Sequence, residues 1–222
     1  EGTSEAVRIL ESMEHIDSAL LPTFTDLATE GGERFGRLRD LREQTKLILF
    51  HLDNLFSEMH ELEGGRDALT RMLNRKFLSV VMGKEVAYAQ HSGRAFAALL
   101  IDIDHFKSIN DTHGHDVGDL ALRHVAQCVA AQLRDGDACA RYGGEEFIVL
   151  LPATSEAEAR QVAERVRSAV EASPLAQPRL VITLSIGLSS YHPGMSAEAL
   201  LKAADSAVYL AKRNGRNQVS VS

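Results

Sequence analysis

The chain has 222 residues, 45% hydrophobic and 25% charged, ordinary proportions for a globular protein and enough for one large domain or a helical appendage plus a domain. A formal net charge of −7 excludes the basic surface that general DNA or RNA binding requires, so an anionic ligand has to be met by a few placed cations, helix N-termini or a metal. Cys128 and Cys139 are too few for a disulfide framework and suit a reduced, cytoplasmic setting, and no apolar run approaches the roughly 18 residues of a membrane span.

The chain starts inside a helical pattern without an initiator Met or a signal peptide, so it reads as the C-terminal portion of something longer. Leu10, Met13, Ile16, Leu20, Phe24 and Leu27 recur at helical spacing, with Pro22 as a kink and Gly31-Gly32 as the stop. A second helix carries Leu38, Leu41, Thr45, Ile48, Leu52, Leu55, Met59 and Leu62 in steps of three and four, a heptad seam with one polar position at Thr45. That seam predicts a parallel homodimer through a coiled coil. Phe35, Leu49 and Phe50 widen the apolar face toward bundle packing, and burial of the helix on its own domain is the alternative. Gly64-Gly65 ends it, and Asp67 is expected to N-cap a helix over 68–92. The reading divides the chain into a helical region at 1–66 and a second domain at 67–222.

In that domain the apolar run 95–101 predicts a buried strand ending at Asp102 and Asp104. A short segment with Asn110, Asp111, Gly114 and Gly118 leads into a helix over 117–133. Strand-like runs at 138–142 and 147–151 flank Gly143-Gly144, which predicts a tight type I′ turn with φ > 0 at both glycines. Glu145 and Glu146 then open the returning strand and point to opposite faces. A helix over 155–172, a β-rich run at 180–190, a helix over 197–213 and a strand at 216–221 complete the chain. The order β-α-α-β-β-α-β-α-β after a lead helix predicts an α+β fold, a central, mostly antiparallel sheet covered by helices.

The polar residues gather where these elements end. Asp102, Glu145 and the Ile103 carbonyl supply oxygen ligands for a hard cation such as Mg²⁺, which takes one or two carboxylates and lets substrate phosphates complete its shell; the alternative for Asp102 is an N-cap. The amides of His105, Phe106 and Lys107 open a helix or turn and suit phosphate oxygens. Asn110 and Asp119 pair an amide with a carboxylate, the chemistry that reads a guanine edge, although each also suits helix capping. Lys212 and Arg216 flank the helix stop Asn214-Gly215, where cations complement the helix dipole or reach terminal phosphates. His15, His51, His60, His91, His113, His124 and His192 show no ligand spacing, and both cysteines suit small buried positions.

The segment 142–147, Tyr-Gly-Gly-Glu-Glu-Phe, resembles the signature of GGDEF-type diguanylate cyclases. Segment 102–119, Leu69-Thr70 with Asn74-Arg75, and 211–217 match the family's other motifs in order, so the resemblance covers roughly 67–221. Arg71 departs from it by standing where the family usually has glycine, with an expected effect on helix packing. The resemblance implies a polymerase-palm-like fold and condensation of two GTP into cyclic di-GMP with release of two pyrophosphates. It assigns Mg²⁺ (or Mn²⁺) to Asp102, Ile103 and Glu145, and guanine to Asn110 and Asp119 with His115 nearby. The β- and γ-phosphates go to His105, Phe106, Lys107, Lys212 and Arg216, beside the close-approach turn Gly143-Gly144. Glu145 or Glu146 would assist deprotonation of the 3′-hydroxyl, and Lys107 would steady the phosphoryl charge. Arg134-Asp-Gly-Asp137 matches the family's RxxD product-inhibition site, with Arg165 as a second arginine; a polar turn is the alternative. One GTP per subunit implies a dimer held by the seam and biased by an upstream sensor, and the pattern at 68–80 resembles cyclases coupled to a haem globin. A nucleotide receptor without catalysis and a plain dimerisation module are the competing classes; the intact motif residues weigh against both.

Overall fold

Phe96–Ile103 is buried at all eight positions, so this strand needs a neighbour on each edge and a helical layer on each face. The computed structural model describes residues 64–222. The two helices predicted before Gly64, the seam, Pro22, Phe35, Leu49, Phe50 and the dimer contact all lie outside the described residues. We label the strands β1 (Phe96–Ile103), β2 (Ala138–Arg141), β3 (Glu146–Pro152), β4 (Leu184–Ser190) and β5 (Gln218–Val221), and the helices α1 (Arg75–Ser92), α2 (Phe106–His113), α3 (His115–Ala130), α4 (Glu156–Ala172) and α5 (Ala197–Arg213). The sheet order is β2-β3-β1-β4-β5. β1 runs antiparallel to β3 and β4, while β5 joins β4 in parallel after the α5 crossover. The α+β architecture and element order follow the sequence-based expectation, and among the described residues no helix is long and apolar enough to cross a membrane.

Strand alternation divides the core between the two faces. Ala97, Leu99, Ile101 and Ile103 join Phe147, Val149 and Leu151 beneath α2, α3 and α4. Phe96, Ala98 and Leu100 join Ile148 and Leu150 beneath α1 and α5. Each large aliphatic or aromatic side chain so buried contributes about 1.5–3 kcal/mol. On the α5 side β4 presents only Ser185, Gly187 and Ser189. A Cβ on Gly187 would strike the Ala204 carbonyl and the Val208 amide, so α5 rests its main chain on the strand.

The lead helix starts later than expected, because Asp67 is not its N-cap. Asn74 caps α1 by accepting from the Phe77 N–H at 2.9 Å. Asp67 instead accepts from the Thr70 N–H and hydroxyl at 2.8 and 2.7 Å, closing a turn. Leu73 then pairs with β2, donating to the Cys139 carbonyl and accepting from the Arg141 N–H. Arg71 lies in that turn at φ 62 and has no helix to pack, so its departure from glycine loads a left-handed position. The Gly143-Gly144 turn also differs from expectation. Neither glycine has positive φ. Tyr142 and Gly143 both donate to the Glu146 carbonyl, at 2.8 and 3.3 Å, so the strands close through a longer loop over 142–145 that needs no left-handed residue.

Candidate functional site

Asp102 lies within β1, not beyond it, and faces Glu146 across the β1–β3 register. Its position inside the strand removes the N-cap alternative; His105 precedes α2 as its cap, at φ 56, without a side-chain hydrogen bond. Glu145 sits one residue outside β3 in the turn, and its carbonyl accepts from the Ile103 N–H at 3.3 Å. The hairpin thus brings Glu145, Glu146 and the Ile103 main chain against the end of the central strand.

Three carboxylates gathered there are held above their ordinary pKa range. Burial raises Asp102, which is 5% exposed, with Lys212 and Arg216 acting in opposition. Burial raises Glu145 and Glu146 too, and the negative charge of Asp102 pushes both further. Lys212 places its Nζ 2.7 Å from Asp102 Oδ2, more than the helix-dipole role expected of a last-turn cation. Mutually repelling, partly desolvated carboxylates fit a divalent cation, whose charge would relieve them. Among the described residues no three His, Cys, Asp or Glu side chains form a ready metal cage.

From this point α2 begins, and the main chain at His105, Phe106 and Lys107 forms its N-terminal end, where amides carry partial positive charge. Phe106 is anchored in the core while His105 and Lys107 are exposed. Gly114 ends α2 and starts α3 at once. His115 opens α3, and Asp119 follows one turn later on the same face. Neither Asn110 nor Asp119 caps a helix. A Cβ on Gly118 would collide with the Asn110 amide and crowd the Phe106 ring. The bare glycine therefore makes the space in which Asn110 stands, next to Asp119. The sequence reading used Gly118 only as a punctuator. A helical, buried glycine beside a polar candidate was the available signal.

Two further positions were missed. Arg141 donates from Nη2 to the Gly144 carbonyl at 2.7 Å and from Nη1 to Asp67 at 3.3 Å, tying the glycine turn to the first residues of the domain. Burial works against the Asp67 charge, but Thr70 and Arg141 outweigh it and hold the carboxyl below its usual value. Asp104, 5% exposed, accepts from Ser185, Thr183 and the Asn217 main chain.

By Pro152, at the other end of β3 from Glu146, Arg134, Asp137 and Arg165 line one cavity of about 340 Å³ together with Thr154 and Glu158. Arg134 bonds Asp137 at 3.2 Å and both the Pro152 carbonyl and the Thr154 hydroxyl at 2.8 Å. Arg165 donates to the Gln132 carbonyl at 2.6 Å. Cys128 and Cys139 are free thiols, partly exposed, and burial pushes the Cys139 thiol up to about 12.

Residues 65–218 match the family described as "Diguanylate cyclase, GGDEF domain". The chain is 41% identical over 187 residues to diguanylate cyclase DosC of Escherichia coli K12, covering 83% of this chain and 41% of DosC. It is 46% identical over 166 residues to the response regulator PleD of Caulobacter vibrioides, covering 72% of this chain and 37% of PleD. The chain therefore spans about two-fifths of the length of these relatives. The coiled coil and GGDEF domain of DgcB from Caulobacter crescentus, solved in complex with c-di-GMP, superposes with a TM-score of 0.70 at 30% identity, covering 84% of this chain and 98% of that one.

Proposed function

The chain belongs to the GGDEF diguanylate cyclase family, and from that premise we propose that it condenses two GTP into cyclic di-GMP, releasing two pyrophosphates. The observation that carries the reading is the register that sets Asp102 opposite Glu146, with Glu145 beside Ile103 and Lys212 at 2.7 Å from Asp102. Asp102, Glu145 and the Ile103 carbonyl would hold Mg²⁺ or Mn²⁺. When bound, the ion supplies charge to the attacking and leaving oxygens of an in-line displacement at the α-phosphate.

Asn110 and Asp119 read the guanine edge, with His115 one turn from Asp119. The amides of His105, Phe106 and Lys107 cradle the β- and γ-phosphates, and Lys212 and Arg216 add charge. Lys107 steadies the developing phosphoryl charge. Gly143 and Gly144 let the nucleotide approach the main chain; a Cβ at Gly144 would stand in open space that a ligand then has. Glu145 or Glu146 takes the 3′-hydroxyl proton.

The product returns to Arg134, Asp137 and Arg165 as an inhibitor; the shared cavity supports that reading. Each subunit binds one GTP, so two sites must face each other, which the helices at 1–66 accomplish by pairing, under an upstream sensor domain. The setting is cytoplasmic, where GTP is supplied and thiols stay reduced. Incubation with GTP and Mg²⁺ followed by separation of products tests the whole reading. Cyclic di-GMP and pyrophosphate in a one-to-two ratio are expected. Bound but unconverted GTP would make the chain a receptor and overturn catalysis.

A further inference from the structure

Between α5 and β5 the main chain makes a turn that helices and strands do not by themselves produce. Gly215, Arg216 and Asn217 stand at φ 114, 64 and 45, so two consecutive side-chain-bearing residues are left-handed. Such a conformation persists only where its surroundings over-determine it. Here they do so at Asn217. Its N–H donates to Asp104 Oδ2 at 3.0 Å. Its amide oxygen accepts from Arg167 Nη1 at 2.7 Å, and its amide nitrogen donates to Glu171 Oε1 at 2.7 Å. Arg167 is in turn fixed by Glu164 and Glu171, and Asp104 by Ser185 and Thr183. The end of β1, the start of β4 and the outer face of α4 thus converge on one asparagine.

The amide is chemically suited to this position. Asn offers one acceptor and one donor and tolerates the left-handed region. An aspartate would lose the donor and face Glu171 with like charge. The neighbour so placed is Arg216, whose N–H is bonded back to the Ala211 carbonyl at 3.0 Å. Arg216 thus stands four residues beyond Lys212, whose Nζ lies 2.7 Å from Asp102 Oδ2.

We propose that Asn217 is a positioning residue for the triphosphate end of the site: clamped by Asp104, Arg167 and Glu171, it fixes the left-handed turn in which Arg216 stands after the end of α5. This role rests on the GTP reading of the site. Asn217 touches no substrate; it acts through Arg216 alone.

The test is steady-state kinetics of the full chain with GTP and Mg²⁺. Asn217→Gly keeps the turn accessible and retains the N–H to Asp104, but removes both side-chain clamps. Its KM for GTP is expected to rise about tenfold, the worth of one charge-assisted contact to phosphate, with kcat within about twofold. Arg216→Ala should show the same rise, and the double variant should be no worse than Arg216→Ala alone, since both changes remove one interaction. An unchanged KM in Asn217→Gly, or additive effects in the double variant, would overturn the role. Should Asn217→Gly fail to fold, Arg167→Ala removes one clamp from the far side of α4; it must raise KM in the same way, and an unaltered KM there sinks the proposal. A wild-type chain that makes no product overturns the cyclase reading and this role with it. An active wild type beside an unaffected variant overturns this role alone.

Discussion

Gly118 and Arg71 carry opposite lessons about single side chains. Gly118 works by absence, because any Cβ there meets the Asn110 amide and the Phe106 ring. We expect Gly118→Ala to raise the Kd for GTP about tenfold, the worth of a hydrogen bond to the base, and to erode discrimination of GTP from ATP. Calorimetric titration of both nucleotides checks this; unchanged GTP affinity would mean that Asn110 does not read the base. Arg71 carries a side chain where φ is 62. Replacing it with glycine removes left-handed strain of about 1–2 kcal/mol but restores chain entropy to the unfolded state. A net gain of about 0.5 kcal/mol is expected from urea unfolding, with the midpoint moving upward.

The hairpin and the segment that precedes α1 act together as elements. β2 pairs on one edge with β3 and on the other with Leu73, while Arg141 bridges Asp67 and the Gly144 carbonyl. The Gly143-Gly144 turn therefore shares its support with Asp67 and Leu73, at the start of the described residues. Asp67 has its folded pKa lowered from the ordinary 3.8. A depressed carboxyl contributes stability above its unfolded pKa and loses it as pH falls through the folded value. Asp67→Asn should thus cost about 1 kcal/mol at pH 7, a figure already discounted for solvent screening of this partly exposed pair. The difference from wild type should shrink as pH falls below 3.8, where the unfolded carboxyl takes up its proton, and be gone once pH has passed through the lower folded value. Denaturant midpoints of both proteins at neutral and acid pH give the answer, and a gap that persists in acid would assign the effect to shape instead of charge.

For the molecule as a whole, the proposed reaction joins two nucleotides held by two chains. The rate per subunit should then rise with protein concentration until dimers saturate, and a strictly constant specific activity from nanomolar concentrations upward would contradict the face-to-face arrangement. The cavity proposed for product, lined by Arg134, Asp137 and Arg165, lies by Pro152, at the other end of β3 from Glu146. Arg134→Ala should weaken inhibition by cyclic di-GMP about tenfold or more, since a bidentate cation is lost, while initial rates at low product stay near wild type. Progress curves with and without added product distinguish this from a general loss of activity.

The sequence by itself determined what neighbours along the chain can decide. α5 runs over Ala197–Arg213 as its periodicity predicts, because Ser196 caps it and the Asn214-Gly215 stop follows directly. The alternating core of β1 and the ordered motifs at 102–119 and 142–147 were legible for the same local reason. Tertiary structure decided the rest. Asp67 looked like a helix cap until Arg141, 74 residues away, was beside it. Gly143 and Gly144 looked like a primed turn until pairing to Glu146 lengthened the loop. Asp104 shares the predicted strand end with Asp102, yet Ser185, Thr183 and Asn217 bond it, while Lys212 takes Asp102. A side chain's nearest charge or donor comes from whichever strand or helix packs against it, and that partner has no fixed spacing in the chain.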